Sequence, residues 1–168
     1  EWIISDNFNA NLIYVEHADL IQEPRYDYFE DLSDLLDNTY NVHTDFKPVF
    51  TETQMKNHME NSRIFSIITH GSGMALWLGD RTVTANALPK QNMYTWDLSK
   101  MDLALLVACS AGMGGYNPNN ITNGTPYNVL ETLVWRGAKT AVGFDADMNY
   151  FDGVDFGKEF MRRLVEEG

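Results

Sequence analysis

Apolar and polar positions divide this chain into short greasy runs separated by amphipathic stretches. "NLIYV" (11–15) reads as a short strand. In "YFEDLSDLLD" (28–37), Phe29, Leu32, Leu35 and Leu36 recur at helical spacing and share one face. "YNVHTDFKPVF" (40–50) is extended in character, with its alternation interrupted at Pro48. Thr51 then stands as an N-cap and Gln54 completes a capping box, while Phe50 and Met55 occupy the positions of a hydrophobic staple. A helix over about 52–61 follows, with Met55 and Met59 on its inner side.

The second half repeats the alternation. "RIFSIITHGSG" (63–73) is a buried strand ending in His70-Gly71, and "MALWLGDRTVTANAL" (74–88) is a hairpin joined by a Gly79-Asp80 turn. "LPKQNMYTWDLSK" is a connection to a second buried strand, Leu103–Val107, and the loop 109–124 is rich in Gly, Asn and Ser. Thr125-Pro126 reads as an N-cap and first turn. Val129, Leu130, Leu133 and Val134 carry that helix to a stop at Gly137. "KTAVGF" (139–144) is a third buried strand. Phe151, Val154, Phe160, Met161 and Leu164 outline a final helix in which Gly157 is a weak spot.

Strands alternating with helices predict an α/β fold with a mostly parallel sheet flanked by helices. In such sheets ligands collect at the carboxyl ends of the strands. His70 and Cys109 each follow the carboxyl end of a buried strand. The stretch between them is long enough for a crossover, so the two strands can be parallel and the two side chains can share one edge.

Composition narrows the partners. The 168 residues are 44% hydrophobic, enough for a single domain, 1–168, with a sizeable core. The formal net charge is −12, which argues against nucleic acid or an anionic membrane surface as the main partner and leaves room for basic substrates. No apolar run approaches the ~20 residues that span a bilayer. The sequence starts at Glu1 without a signal-peptide pattern, so the expectation is a fragment or mature part of a longer protein. A single cysteine excludes an internal disulfide but leaves the compartment open, cytoplasmic or secreted.

That cysteine, in "LALLVACSAG", carries the chemistry. A thiol with an unperturbed pKa of ~8.5 needs only a nearby base or positive field to become a nucleophile. A histidine on the adjacent strand end can assist the thiolate and protonate a leaving amine. Gly71 after the histidine, and the small residues after Cys109, allow backbone N–H groups to approach an oxyanion closely. The alternative for Cys109 is a small core hydrophobe. His17, His43 and His58 have no comparable setting and read as surface or packing residues.

His-Gly after one hydrophobic strand and Ala-Cys after a second resembles the cysteine peptidases of clan CD. That group spans caspases, gingipains, clostripain and separase, and includes the bacterial CHAT domains. "HGSGMALWLGDRTVTANAL" resembles the hairpin after the family's catalytic His-Gly, "RGAKTAVGF" the strand after the catalytic cysteine's helix, and "FMRRLVEEG" the closing helix. The likeness covers roughly 60–168. It implies a three-layer caspase-like sandwich and a cysteine endopeptidase. In that reading His70 is the general acid/base, Cys109 the nucleophile, and the Gly71 and Cys109 N–H groups the oxyanion hole. A peptide or protein is the substrate, no cofactor or metal is required, and a regulatory domain or partner protein fits the group's habits. Clostripain-like members carry an acidic P1 selector two residues before the nucleophile, where this chain has Val107. Asp145 and Asp147, after the third strand, could favour a basic P1 residue instead, while Val107 could floor an apolar pocket. Trp77 and Trp96 are further candidates for a substrate groove.

Four other readings compete with this one. "ACSAG" fits a serine-hydrolase elbow with Ser110 as nucleophile, but that arrangement places its histidine later in the chain and none follows His70. In the cysteine-peptidase reading replacement of Ser110 by alanine is expected to be nearly silent. A phosphate loop lacks its lysine, and a zinc site lacks a third ligand. A non-catalytic caspase-like or CHAT interaction module retains the same fold, with the thiol inert.

Overall fold

The computed structural model describes residues 9–15, 24–79, 86–114 and 125–167. His17, Asp80 of the expected turn and 115–124 of the expected loop lie outside the described residues. In chain order the elements are β1 (Asn9–Val15), α1 (Pro24–Leu36), β2 (Asn41–Lys47), α2 (Glu52–Glu60), β3 (Ile64–Ile68), β4 (Gly71–Ser72), β5 (Ala75–Trp77), β6 (Ala87–Pro89), a 3-10 helix (Lys90–Thr95), β7 (Leu103–Val107), α3 (Val129–Trp135), β8 (Ala141–Val142) and α4 (Tyr150–Glu167).

β2, β1, β3, β7 and β8 form a five-stranded sheet in that order, every neighbouring pair parallel. Period-2 alternation splits the strand residues between its faces. Leu12, Tyr14, Leu105 and Val107 pack with Tyr28, Phe29 and Leu32 of α1 and Val154 and Met161 of α4. Ile13, Val15, Phe65 and Leu106 pack on the opposite face with Met55 and Met59 of α2 and Val129 and Leu133 of α3. Central strands buried on both faces need an apolar residue at nearly every position, which is what β3 and β7 contain. The exception is Ser66, fully buried, whose hydroxyl meets the Tyr28 hydroxyl at 3.1 Å.

Both devices read at the start of α2 are present. Thr51 Oγ1 accepts from the Gln54 N–H, the Gln54 side chain accepts from the Thr51 N–H at 2.9 Å, and Phe50 and Met55 are both buried. Elsewhere the chain departs from expectation. The hairpin partner of β5 is Ala87–Pro89, with Trp77 opposite Ala87, so the connection runs over 78–86 rather than through a two-residue turn at Gly79-Asp80. With β4 these strands make a small antiparallel sheet, and Leu76, Leu88, Met93 and Trp96 bury this crossover against the α2/α3 face.

α3 starts later than expected. Its N-cap is Asn128, not Thr125: Asn128 Oδ1 accepts from the Glu131 N–H at 2.8 Å while its Nδ2 donates to the Gly112 carbonyl at 2.8 Å. One amide thus caps the helix and ties it to the loop after β7, a pair of bonds beyond a threonine's reach. Gly137, at φ +114°, ends the helix as read. Val134 faces solvent and Thr132 takes the buried position. The strand expected over 139–144 shrinks to Ala141–Val142, half-buried because it is the sheet's edge.

At the amino ends of the strands, Asp102 receives Arg63 through Nε at 2.5 Å and Lys139 at 2.6 Å. Asp102 and Arg63 immediately precede β7 and β3, and Lys139 stands two positions before β8. Burial works against the Asp102 charge, but hydrogen bonds from Lys139 and Arg63 outweigh it and hold the carboxyl below its usual range.

Candidate active site

Parallel pairing sets the heights of the two candidate side chains. Ile68 of β3 is the register partner of Val107 of β7, and the Thr69 N–H donates to the Val107 carbonyl at 3.2 Å, carrying the pairing past the strand. His70 and Cys109 each stand two positions beyond that pair, so neighbouring strands deliver imidazole and thiol to one rim. Both line a pocket of about 340 Å³, together with Gly71, Trp77 and Asp147.

Each wall of the pocket has a local cause. The Trp77 N–H donates to the His70 carbonyl at 2.9 Å and Thr69 Oγ1 donates to the Trp77 carbonyl at 2.5 Å, which folds β5 back over the end of β3. Gly71 lies against the other strand end: a Cβ there would stand 2.9 Å from the Ala108 Cβ and 3.0 Å from the Cys109 carbonyl oxygen. Only a residue without a side chain lets the two loops touch. Past Cys109, Ser110 adopts φ +53°, the single positive φ among described non-glycine residues. The Ser110 N–H donates to the Ala146 carbonyl at 3.0 Å, and the Gly112 N–H donates to the Phe144 carbonyl at 2.8 Å. These bonds zip the loop after β7 to the loop after β8.

The remaining candidates separate. Asp147 lines the pocket and accepts from Ser110 Oγ at 2.7 Å. Asp145 is exposed on the same loop but outside the pocket lining. Val107 is 1% exposed and packs under α4, where a Cβ on Gly153 would meet it at 3.1 Å, so it floors the α4 interface and not the pocket. Trp96 is equally buried in the core, its carbonyl accepting from Arg136 Nε at 2.7 Å, whereas Trp77 reaches the pocket. Ser110 is only 3% exposed with its hydroxyl committed to a carboxylate, a poor setting for a nucleophile. The thiol of Cys109 is partly exposed, and its sulfur contacts the Met148 carbonyl at 3.8 Å.

Sequence reasoning missed the Ser110–Asp147 bond and the Met148 carbonyl. Only the small residues at 110–112 hinted that another loop would press against this one.

Other polar clusters lack this combination. His43 stacks on His58 with ring centroids 5.7 Å apart, His58 Nε2 lies 3.3 Å from Asp45, and none of the three lines the pocket. A larger groove of about 550 Å³ between α1 and α4 is lined by charged residues such as Asp31 and Lys158, which pair at 2.6 Å, and holds no nucleophile. Among the described residues no group of three or more His, Cys, Asp or Glu is placed to hold a metal ion, and no helix is long and apolar enough to cross a membrane. No family model matches this chain, and no curated protein matches it.

Proposed function

We propose that this chain is a cysteine endopeptidase domain built as a three-layer caspase-like sandwich, with His70 and Cys109 as its dyad. The observation that supports it is the equal height of these two residues beyond adjacent parallel strands, facing one pocket. In this reading the Cys109 thiolate attacks the scissile carbonyl carbon, and the developing oxyanion is received by the Gly71 and Cys109 N–H groups. Collapse of the tetrahedral adduct breaks the C–N bond, and His70 gives its proton to the departing amine. Water, deprotonated by the now neutral imidazole, hydrolyses the thioester and returns the thiol. The substrate is a peptide or protein chain, with neither nucleic acid nor a membrane surface as the main partner.

A positional peptide library treated with wild type and with Cys109→Ala tests the reading. Discrete cleavage products from wild type alone are expected. Equal cleavage by both proteins overturns the assignment. One observation favours a second reading, a non-catalytic interaction module of the same fold: the Met148 carbonyl near Cys109 Sγ suits a neutral thiol. Slow alkylation of Cys109 at neutral pH would accompany that case.

A further inference from the structure

We propose that Ser110 and Asp147 form a positioning pair that holds Cys109 in register with His70, an inference that rests on the peptidase reading above. Ser110 follows the nucleophile directly and sits at φ +53°, a conformation that L side chains rarely adopt. Such a residue persists only when its surroundings over-determine it, and such residues cluster at functional sites. Here three bonds hold it, the first being its carbonyl, which accepts from the Met113 N–H at 2.9 Å. The Ser110 N–H reaches the Ala146 carbonyl at 3.0 Å, and its hydroxyl, in a residue 3% exposed, reaches Asp147 Oδ1 at 2.7 Å. A hydroxyl bonded to a carboxylate is among the stronger neutral-donor contacts, and Asp147, which supplies that carboxylate, is the residue of its loop that lines the pocket.

The consequence for chemistry follows from the backbone. A left-handed residue after a strand end turns the chain sharply away, whereas an extended one would prolong the strand. The turn at Ser110 therefore sets the plane of the peptide joining it to Cys109, and with it the direction in which the thiol leaves the chain. Reacting atoms must meet within about 0.5 Å of the productive geometry, and small misplacements cost large factors in rate. Asp147 thus acts on the thiol through Ser110, in addition to any contact it makes with substrate.

Kinetics on a peptide with Leu at P1 remove any contribution from charge recognition by Asp147. Ser110→Ala, Asp147→Ala and the double variant are expected to lose kcat by about tenfold or more with KM nearly unchanged. The double variant is expected to lose no more than the worse single one, because both changes break one bond. Asp147→Asn keeps an acceptor oxygen for the Ser110 hydroxyl and is expected to recover most of kcat. Should Ser110→Ala fail to fold, Ser110→Gly, which reaches the same φ without strain, takes its place and is expected to show the same loss. Single-variant losses below about twofold, or strictly additive losses, overturn the pairing. A raised KM with unchanged kcat also overturns it and leaves Asp147 as a substrate contact alone. Absence of cleavage by wild type is a different failure: it removes the peptidase reading and the inference with it.

Discussion

The hydroxyl oxygen of Tyr28 lies 2.8 Å from where a Cβ would stand on Gly157, so α1 and α4 meet at a contact that only glycine admits. The phenol is buried and shares a hydrogen bond with Ser66 of β3 at 3.1 Å, and burial holds its pKa far above the usual range, so it stays a neutral partner. Alanine at 157 would gain about 1 kcal/mol of helix propensity. Displacing a rigid, hydrogen-bonded ring costs about 1–3 kcal/mol. Gly157→Ala is therefore expected to be net destabilising and to lower the melting temperature by a few degrees, roughly 2–4 °C per kcal/mol at this size. Gly157→Ala paired with Tyr28→Phe, which removes the obstructing oxygen, should recover much of that loss. A stabilised Gly157→Ala protein would show that the helices can separate freely.

His70→Ala should separate the two halves of the proposed chemistry. General acid–base help is worth ~10²–10⁴-fold, so turnover on peptides is expected to fall by that range. Alkylation of Cys109 by iodoacetamide should continue, because it needs no protonated leaving group. A loss of turnover below about tenfold would move the general acid to another residue.

In the peptidase reading proposed above, preference at P1 follows from which candidates reach the pocket. Asp147 does, Asp145 does not, and Val107 is turned into the core under α4. An apolar pocket floored by Val107 therefore loses its floor, while a carboxylate remains on the wall. Among matched Arg, Lys, Leu and Asp peptides, the Arg and Lys members are expected to be cleaved best. Asp147→Asn should reduce kcat/KM for those two and largely spare Leu, and Asp145→Asn should change neither. Equal use of Leu and Arg by wild type would end the acidic-pocket account.

Folding stability should carry a signature of His58 between neutral and mildly acidic pH. Burial lowers the His58 pKa from the ordinary 6.5, and the stacked His43 and Lys47 push the same way against the attraction of Asp45. The unfolded chain therefore binds the proton first, so this contribution is complete above about pH 6.5 and is lost as pH falls toward the folded-state value. The carboxyls of Glu60 and Asp102 are held below their usual range and report at more acidic pH. Urea midpoints are expected to fall between pH 7.5 and pH 5.5 in wild type, and less so in His58→Gln. Identical slopes for the two proteins would exclude His58 as the source.

Much of this architecture was legible because two-sided burial leaves a plain mark. β7 is an uninterrupted apolar run and β3 is broken only by Ser66, so the residues beyond their ends, His70 and Cys109, can be placed on one rim from the sequence. The capping box at Thr51 was equally readable, since all its partners lie within four residues. What escaped the sequence depended on distant partners. Asn128 won the N-cap of α3 because its amide also reaches Gly112, a contact across 16 positions. Gly157 read as a weak helical residue until Tyr28, from another helix, explained it. The hairpin turn was misplaced because Gly79-Asp80 has good turn chemistry, while the pairing of Trp77 with Ala87 was decided by Leu76 and Leu88 entering the core together.

The bridge from Arg63 through Asp102 to Lys139 gives the molecule a division of labour between its two rims. It fastens the starts of β3, β7 and β8, the strands whose far ends lead to His70, Cys109 and Asp147. Those ends lie about 3.3 Å farther on for every intervening residue, and no side chain of the bridge approaches the pocket. Alignment is thus gauged at one end of the strands and spent at the other. A change in the loops around the pocket leaves this bridge untouched, whereas a change at Asp102 acts on the strands that carry both side chains without touching either loop.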